Sequence, residues 1–144
     1  MQWRPISKVI PGLSSPPHFL PNDGRDGVTH RAEGQGFKVC RVDASRFQTG
    51  RDASLAVGRE LDFPSYYRGG WDGFFDLLSA EFQEKPRRVI VGLLNSDVLA
   101  DRDLRLFVNT TWQLQNATDT VESEGGGDWQ LEFLYWGAWR PVGD

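Results

Sequence analysis

The stretch Val89-Ile90-Val91-Gly92-Leu93-Leu94 is an unbroken apolar run of strand length. A strand with one face in water alternates polar and apolar residues, so an unbroken run demands cover on both faces. Strands covered on both faces belong to parallel sheets, whose crossover connections supply the covering helices. The flanking sequence offers such helices. Thr49-Gly50-Arg51-Asp52 places a threonine cap three residues before an acid, close to a capping box, ahead of a helix through Leu55, Val57 and Leu61. That helix must end before Pro64, because a residue preceding proline avoids the α region. A second helix, roughly Trp71–Gln83, follows the Gly69-Gly70 break and is stopped by Pro86. Beyond the apolar run, Leu104, Phe107, Val108, Thr111 and Leu114 recur at helical spacing, predicting a third helix from Asp101 to about Gln115. Asn116–Glu124 either extends it or forms a separate turn. Phe37 to Val42 alternates as a strand ending at Asp43, and Trp129–Tyr135 reads as a last strand after the Gly125-Gly126-Gly127 connector. The fold class is α/β.

Residues 1–35 look different. They hold five of the eight prolines and an Asn22-Asp23-Gly24 turn signal, without sustained periodicity. They predict an irregular extension, with a short strand at His18–Leu20, ahead of a domain over residues 36–144. No internal repeat is visible.

Charge narrows the partners. The net charge of −4 disfavours nonspecific binding to nucleic acid or an anionic membrane, both of which need a basic surface. Between Glu60 and Glu84 stand Glu60, Asp62, Asp72, Asp76, Glu81 and Glu84 against Arg68 alone, a local sum of −5. A basic partner fits that segment, although a charged stretch is more often a solvated face. There is no secretory signal pattern and no bilayer-length apolar run, and the single cysteine, Cys40, excludes an internal disulfide; together these predict a cytoplasmic protein. Cys40, between Val39 and Val42, reads as a half-buried strand thiol rather than a nucleophile. No metal site or cofactor is expected: His18 and His30 lack ligand-spaced neighbours, and no Walker loop, Rossmann fingerprint or nucleophile elbow occurs.

The Trp71–Gln83 helix carries the functional signal. On a helical wheel Trp71, Phe74, Leu78 and Phe82 share one face with Phe75 at its edge, while Asp72, Asp76 and Ser79 lie opposite. The apolar stripe is a core face. Asp72 and Asp76 are surface neighbours, and like charges at that spacing repel by a few tenths of a kcal/mol, partly offset by the helix dipole near Asp72. Taken alone, two acids at a helix start are most simply a solvated face. An acid/base enzyme reading is weaker, since acids one turn apart on an exposed helix do not flank a cleft and no base or metal ligand adjoins them.

The order Leu61-Asp62-Phe63-Pro64-Ser65-Tyr66-Tyr67-Arg68-Gly69-Gly70-Trp71-Asp72-Gly73-Phe74-Phe75-Asp76-Leu77-Leu78 resembles the signature of the barstar family, a Pro-x-Tyr-Tyr loop feeding a helix with two spaced aspartates. The resemblance covers about Phe37 to Tyr135. It implies a three-stranded parallel sheet packed by helices, and a non-enzymatic inhibitor of microbial ribonucleases, of antitoxin or immunity type and bacterial. The partner it implies is a basic, extracellular-type ribonuclease or nuclease toxin. In that family the second helix and the loop before it enter the nuclease cleft. Asp76 matches the central aspartate that mimics a phosphate, Asp72 a second interface acid, and Tyr66 the tyrosine that packs on the enzyme. Arg68, Gly70 and Phe75 complete the nuclease-binding set and depart from it: glycine is usual at 68, asparagine at 70, and tryptophan in some members at 75. These departures keep open an immunity protein for a different nuclease toxin, or a non-inhibitory interaction module on the same fold.

Overall fold

A computed structural model describes residues 5–13, 15–84, 86–124 and 129–140, with the backbone alone for 81–83. The elements run α1 (Ile6–Val9), β1 (His18–Pro21), α2 (Arg25–Gly34), β2 (Lys38–Asp43), a 3-10 turn (Ala44–Arg46), α3 (Gly50–Glu60), α4 (Trp71–Glu84), β3 (Arg88–Leu94), α5 (Ser96–Arg102), α6 (Leu104–Glu124) and β4 (Gln130–Gly137). One sheet is formed in the order β1-β4-β3-β2, and every pairing is parallel. As the apolar run requires, β3 is internal and covered on both faces. Val89, Val91 and Leu93 join the larger core with residues of α3, α4, α5 and α6. Ile90, together with Leu134 and Trp136 of β4, joins the smaller one with Ile6, Val9, Ala32 and Phe37.

The sheet has four strands rather than three. The extra strand is β1, which pairs His18 with Leu134 through Pro21 with Gly137. Without it the outer backbone groups of β4 would form an open edge, a ready site for unwanted pairing. The N-terminal segment is therefore not irregular among the described residues: it contributes α1, β1 and α2. Helix α2 escapes a periodicity search because Ala32 is its only buried residue, so it has no apolar stripe to detect.

Three boundaries carry their own physical explanation. Thr49 and Asp52 form a reciprocal capping box at the start of α3. At the far end of β2, Asp43 accepts from the Asn95 amide at 3.0 Å and from the Ser45 N–H and hydroxyl, tying β2 to the start of α5. The helix expected from Asp101 to about Gln115 starts instead at Leu104, and a separate unforeseen helix, α5, precedes it. Asp103, between the two, ends α5, and its carboxylate caps α6 through the Leu106 N–H at 3.1 Å. Asn116–Glu124 extends α6. The Gly125-Gly126-Gly127 connector lies outside the described residues. Among the described residues no helix is long and apolar enough to cross a membrane.

Candidate functional site

The Tyr-Tyr loop, residues 61–70, is fastened to α3 by its own backbone. The Tyr67 hydroxyl donates to the Gly70 carbonyl at 2.7 Å, and the Gly70 N–H donates to the Ser54 hydroxyl at 2.8 Å. Ser54 in turn donates to the Arg51 carbonyl at 3.0 Å, and the Arg51 guanidinium donates to the Arg68 carbonyl at 3.1 Å. Ser54 is fully buried, so this network sits where an unpaired polar group would be costly. Burial raises the Tyr67 phenol above its ordinary pKa, against the pull of Ser54 and Arg51. Neutral Tyr67 therefore keeps its donor role at physiological pH.

Gly69, at φ +94°, comes so close to α3 that a Cβ would stand 2.9 Å from the Arg51 carbonyl oxygen. Gly70, at φ +102°, has open space where a side chain would be, so backbone conformation rather than crowding favours glycine there. The first helical bond of α4 runs from the Phe74 N–H to the Gly70 carbonyl at 3.0 Å. The head of α4 is thus held in a fixed relation to α3.

The two tyrosines part company. Tyr66 is 70% exposed, whereas Tyr67 is buried against Phe63 with ring centroids 5.5 Å apart. On α4, Phe74 and Leu78 are fully buried, and Trp71 and Phe75 pack partly buried against the same core. Asp72 and Asp76 are both exposed, one turn apart. Neither carboxylate has an ion-pair partner among the described residues. Arg68 is exposed on the same loop, and its guanidinium bends back to donate to the Ser65 carbonyl at 3.3 Å.

Tyr66, Arg68, Gly70, Asp72 and Asp76 are thus all carried by one loop and the first two turns of one helix. Phe75 is a core-edge residue beside them. The segment charge of −5 does not belong to that surface, however. Asp62, in a left-handed conformation at φ 63°, pairs with Arg87 at 3.3 Å and Lys38 at 3.8 Å. Those partners stand at the N-terminal ends of β3 and β2, at the opposite end of α3 from Arg51. Glu84 lies at the other end of α4. The loop surface itself holds Asp72 and Asp76 against Arg68 and Arg51. Arg51 and Ser54, which brace the loop, carry no signal in the sequence beyond their place in the first turns of a capped helix.

Other features do different work. Cys40 is buried, its thiol 3.7 Å from the Glu60 carbonyl, and burial raises its pKa, the reverse of what a nucleophile needs. Among the described residues no three His, Cys, Asp or Glu side chains converge as metal ligands. A cleft of about 380 Å³ lies beside β1 and β4, lined in part by His18, Gln115, Thr118, Asp119, Glu122 and Glu132. Glu132 is buried there, and burial, with the nearby Glu122 and Asp119 charges adding to it, pushes its pKa up to about 7. No sequence pattern marked Glu132, a lone acid in an apolar strand.

Two comparisons with known proteins bear on this geometry. A family model described as Barstar (barnase inhibitor) matches residues 37–130, from the start of β2 to the first residue of β4. No curated protein matches the chain.

Proposed function

This chain belongs to the barstar (barnase inhibitor) family, and from that premise we propose that it is a stoichiometric inhibitor of a microbial ribonuclease, acting inside the cell that makes the enzyme. The loop over residues 64–70 and the head of α4 enter the nuclease cleft. Asp76 takes the place of an RNA phosphate among the enzyme's cationic groups, and Asp72 meets a second cation. Tyr66 lies against the enzyme surface, with Arg68, Gly70 and Phe75 at the margin of the contact.

The observation that carries this reading is the pair of exposed carboxylates without ion-pair partners among the described residues, on a helix whose start is tied down through Tyr67, Gly70 and Ser54. An RNA-cleaving site is built to hold phosphate, and a carboxylate can receive two parallel hydrogen bonds from an arginine there. Rigid attachment matters as much as charge, because side chains already held in their bound geometry lose less entropy on association.

Titration of a panel of basic microbial ribonucleases with the protein tests the proposal. One or more should lose activity at a 1:1 ratio. Asp76→Ala, which removes charge-assisted hydrogen bonds worth about 1.5–3 kcal/mol each, should weaken that inhibition by roughly a hundredfold or more. Glu84→Ala, at the far end of the same helix, should change it only a few-fold. Equal losses for the two variants would remove Asp76 as the anchor. Arg68 favours a second reading within the same class, an immunity protein for a different nuclease toxin, because it puts a cation on the surface that would face a basic cleft.

A further inference from the structure

The outer face of α6 is built unlike the rest of the surface. Leu104 and Trp112 are each 63% exposed and Val108 is 54% exposed, on consecutive turns of one helix. Phe19 of β1, 46% exposed, lies on Phe107 beside them, with ring centroids 6.0 Å apart. On a wheel of 100° per residue, Trp112 points almost directly away from Leu114, the fully buried residue at the middle of the core side. Nothing among the described residues covers this stripe. A large indole left this open, in line with other apolar side chains, marks an association surface more often than a free one.

The charges on the stripe say what covers it. Arg105, Trp112 and Asp119 follow one another at seven-residue intervals, the spacing that keeps side chains on one seam between paired helices. Arg105 and Asp119 are both exposed. Arg105 has no ion-pair partner among the described residues, and Asp119 accepts only from the Gln115 amide, at 3.1 Å. Read in one direction the seam is basic, apolar, acidic. Read in the other it is its own complement.

We propose that the outer face of α6 pairs with the same face of a second copy of this chain, antiparallel, about a two-fold axis at Trp112. That register sets Arg105 against Asp119 of the partner subunit and Asp119 against its Arg105. Each charge then lies about 10 Å along the helix from the axis, at 1.5 Å per residue. The two indoles meet at the centre and cover the Val108 side chains one turn away. A two-fold contact of this kind uses one patch twice, so a single sequence must satisfy both sides. The seam lies opposite the buried side of α6, and α3, α4 and the Tyr66 loop take no part in it.

Sedimentation velocity of the full chain across a concentration series tests the pairing. The wild type should shift from a 16.3 kDa species towards twice that mass as concentration rises. Arg105→Asp and Asp119→Arg should each weaken association by roughly tenfold or more, and the double variant Arg105→Asp/Asp119→Arg should recover it. Trp112→Glu should abolish it. All the substituted side chains are exposed, and circular dichroism of each variant checks that the fold is retained. A chain that stays monomeric up to roughly millimolar concentration, where even a weak contact would show, overturns the proposal. So does a dimer indifferent to Trp112→Glu, or a double variant that fails to recover.

Discussion

The head of α4 and the cleft beside β4 both gather carboxylates, and they treat them in opposite ways. Asp72 and Asp76 stand exposed on a braced helix, without ion-pair partners among the described residues. Glu132 is buried in a strand, close to the charges of Glu122 and Asp119. An acid in water keeps its charge cheaply and can spend it on a partner. A buried one near other acids has its charged form penalised, so its protonation becomes coupled to folding. The first arrangement serves recognition, and the second makes stability depend on pH. The same division runs through the loop, where Tyr66 faces outward and Tyr67 holds the loop to α3.

The largest expected effect tests whether the inner side of the loop is structural. Tyr67→Ala removes a buried ring packed on Phe63 and the hydroxyl bonded to Gly70. It should lower stability by about 3–5 kcal/mol in urea melts. Tyr66→Ala should leave the melt nearly unchanged, since that ring is mostly in solvent, and reduce nuclease binding instead. If the two variants exchanged these outcomes, the division between inner and outer sides would be wrong.

Glu132 sharpens the other half of the contrast. Its pKa stands at about 7 in the fold against an ordinary 4.5, so folding takes up a proton between those values. The stabilising share of neutral Glu132 is complete below pH 4.5 and is lost as pH rises through 7. At 1.36 kcal/mol per pKa step the loss is at most about 3.4 kcal/mol. Glu132→Gln stays neutral throughout, so it should be more stable than the wild type at pH 8 and lack this contribution to the slope between pH 5 and 8. Identical slopes for both proteins would show that Glu132 does not titrate in this range.

Legibility in the sequence followed the strength of the physical signal. The unbroken run at β3, the capping box at Thr49 and the stop at Pro64 each left one local solution, and the structure has them. The break at Asp103 was hidden, because Asp101-Arg102-Asp103 reads as one polar patch until the backbone turns. The short strand at His18–Leu20 was legible, but four residues carry no signal of the β4 edge they pair with, and α2 was too poor in apolar residues to stand out. At the site, the outward Tyr66 came from the family resemblance, since adjacent tyrosines in a loop have no periodicity to sort them, and the inward Tyr67 came from the structure. The charge of the segment was misleading for a simpler reason. Proximity in the chain placed Asp62 with Asp72, while Arg87 and Lys38, its actual partners, come from the starts of two strands.

Gly69 tests how rigid the brace must be. Alanine there would meet the Arg51 carbonyl at 2.9 Å and sit at a φ of +94° that L-residues rarely adopt. A strained backbone of this kind costs about 1–3 kcal/mol. Gly69→Ala should therefore lower stability by that amount and weaken nuclease binding as well, because the loop and the start of α4 would shift together. Lost stability with unchanged binding would mean that recognition tolerates a displaced loop.

The smallest effect is the one that discriminates between targets. Arg68 is exposed on the proposed recognition surface, its guanidinium donating to the Ser65 carbonyl at 3.3 Å. With Asp62 neutralised elsewhere, Arg68 offsets a good part of the negative charge that Asp72 and Asp76 present. Attraction to a basic cleft acts over the screening length of about 8–10 Å at physiological ionic strength, so Arg68 should slow encounter with such a cleft. Arg68→Glu is then expected to raise the association rate several-fold at low salt and by much less at high salt. The melting transition should not move, because the side chain is exposed. Rim charges act mainly on association and on its salt dependence, so the dissociation rate is the internal control. If association instead slows and dissociation quickens, Arg68 meets an acid on the partner. The cognate enzyme would then carry an acidic group beside its phosphate site, and the immunity-protein reading would displace that of a general inhibitor of basic ribonucleases.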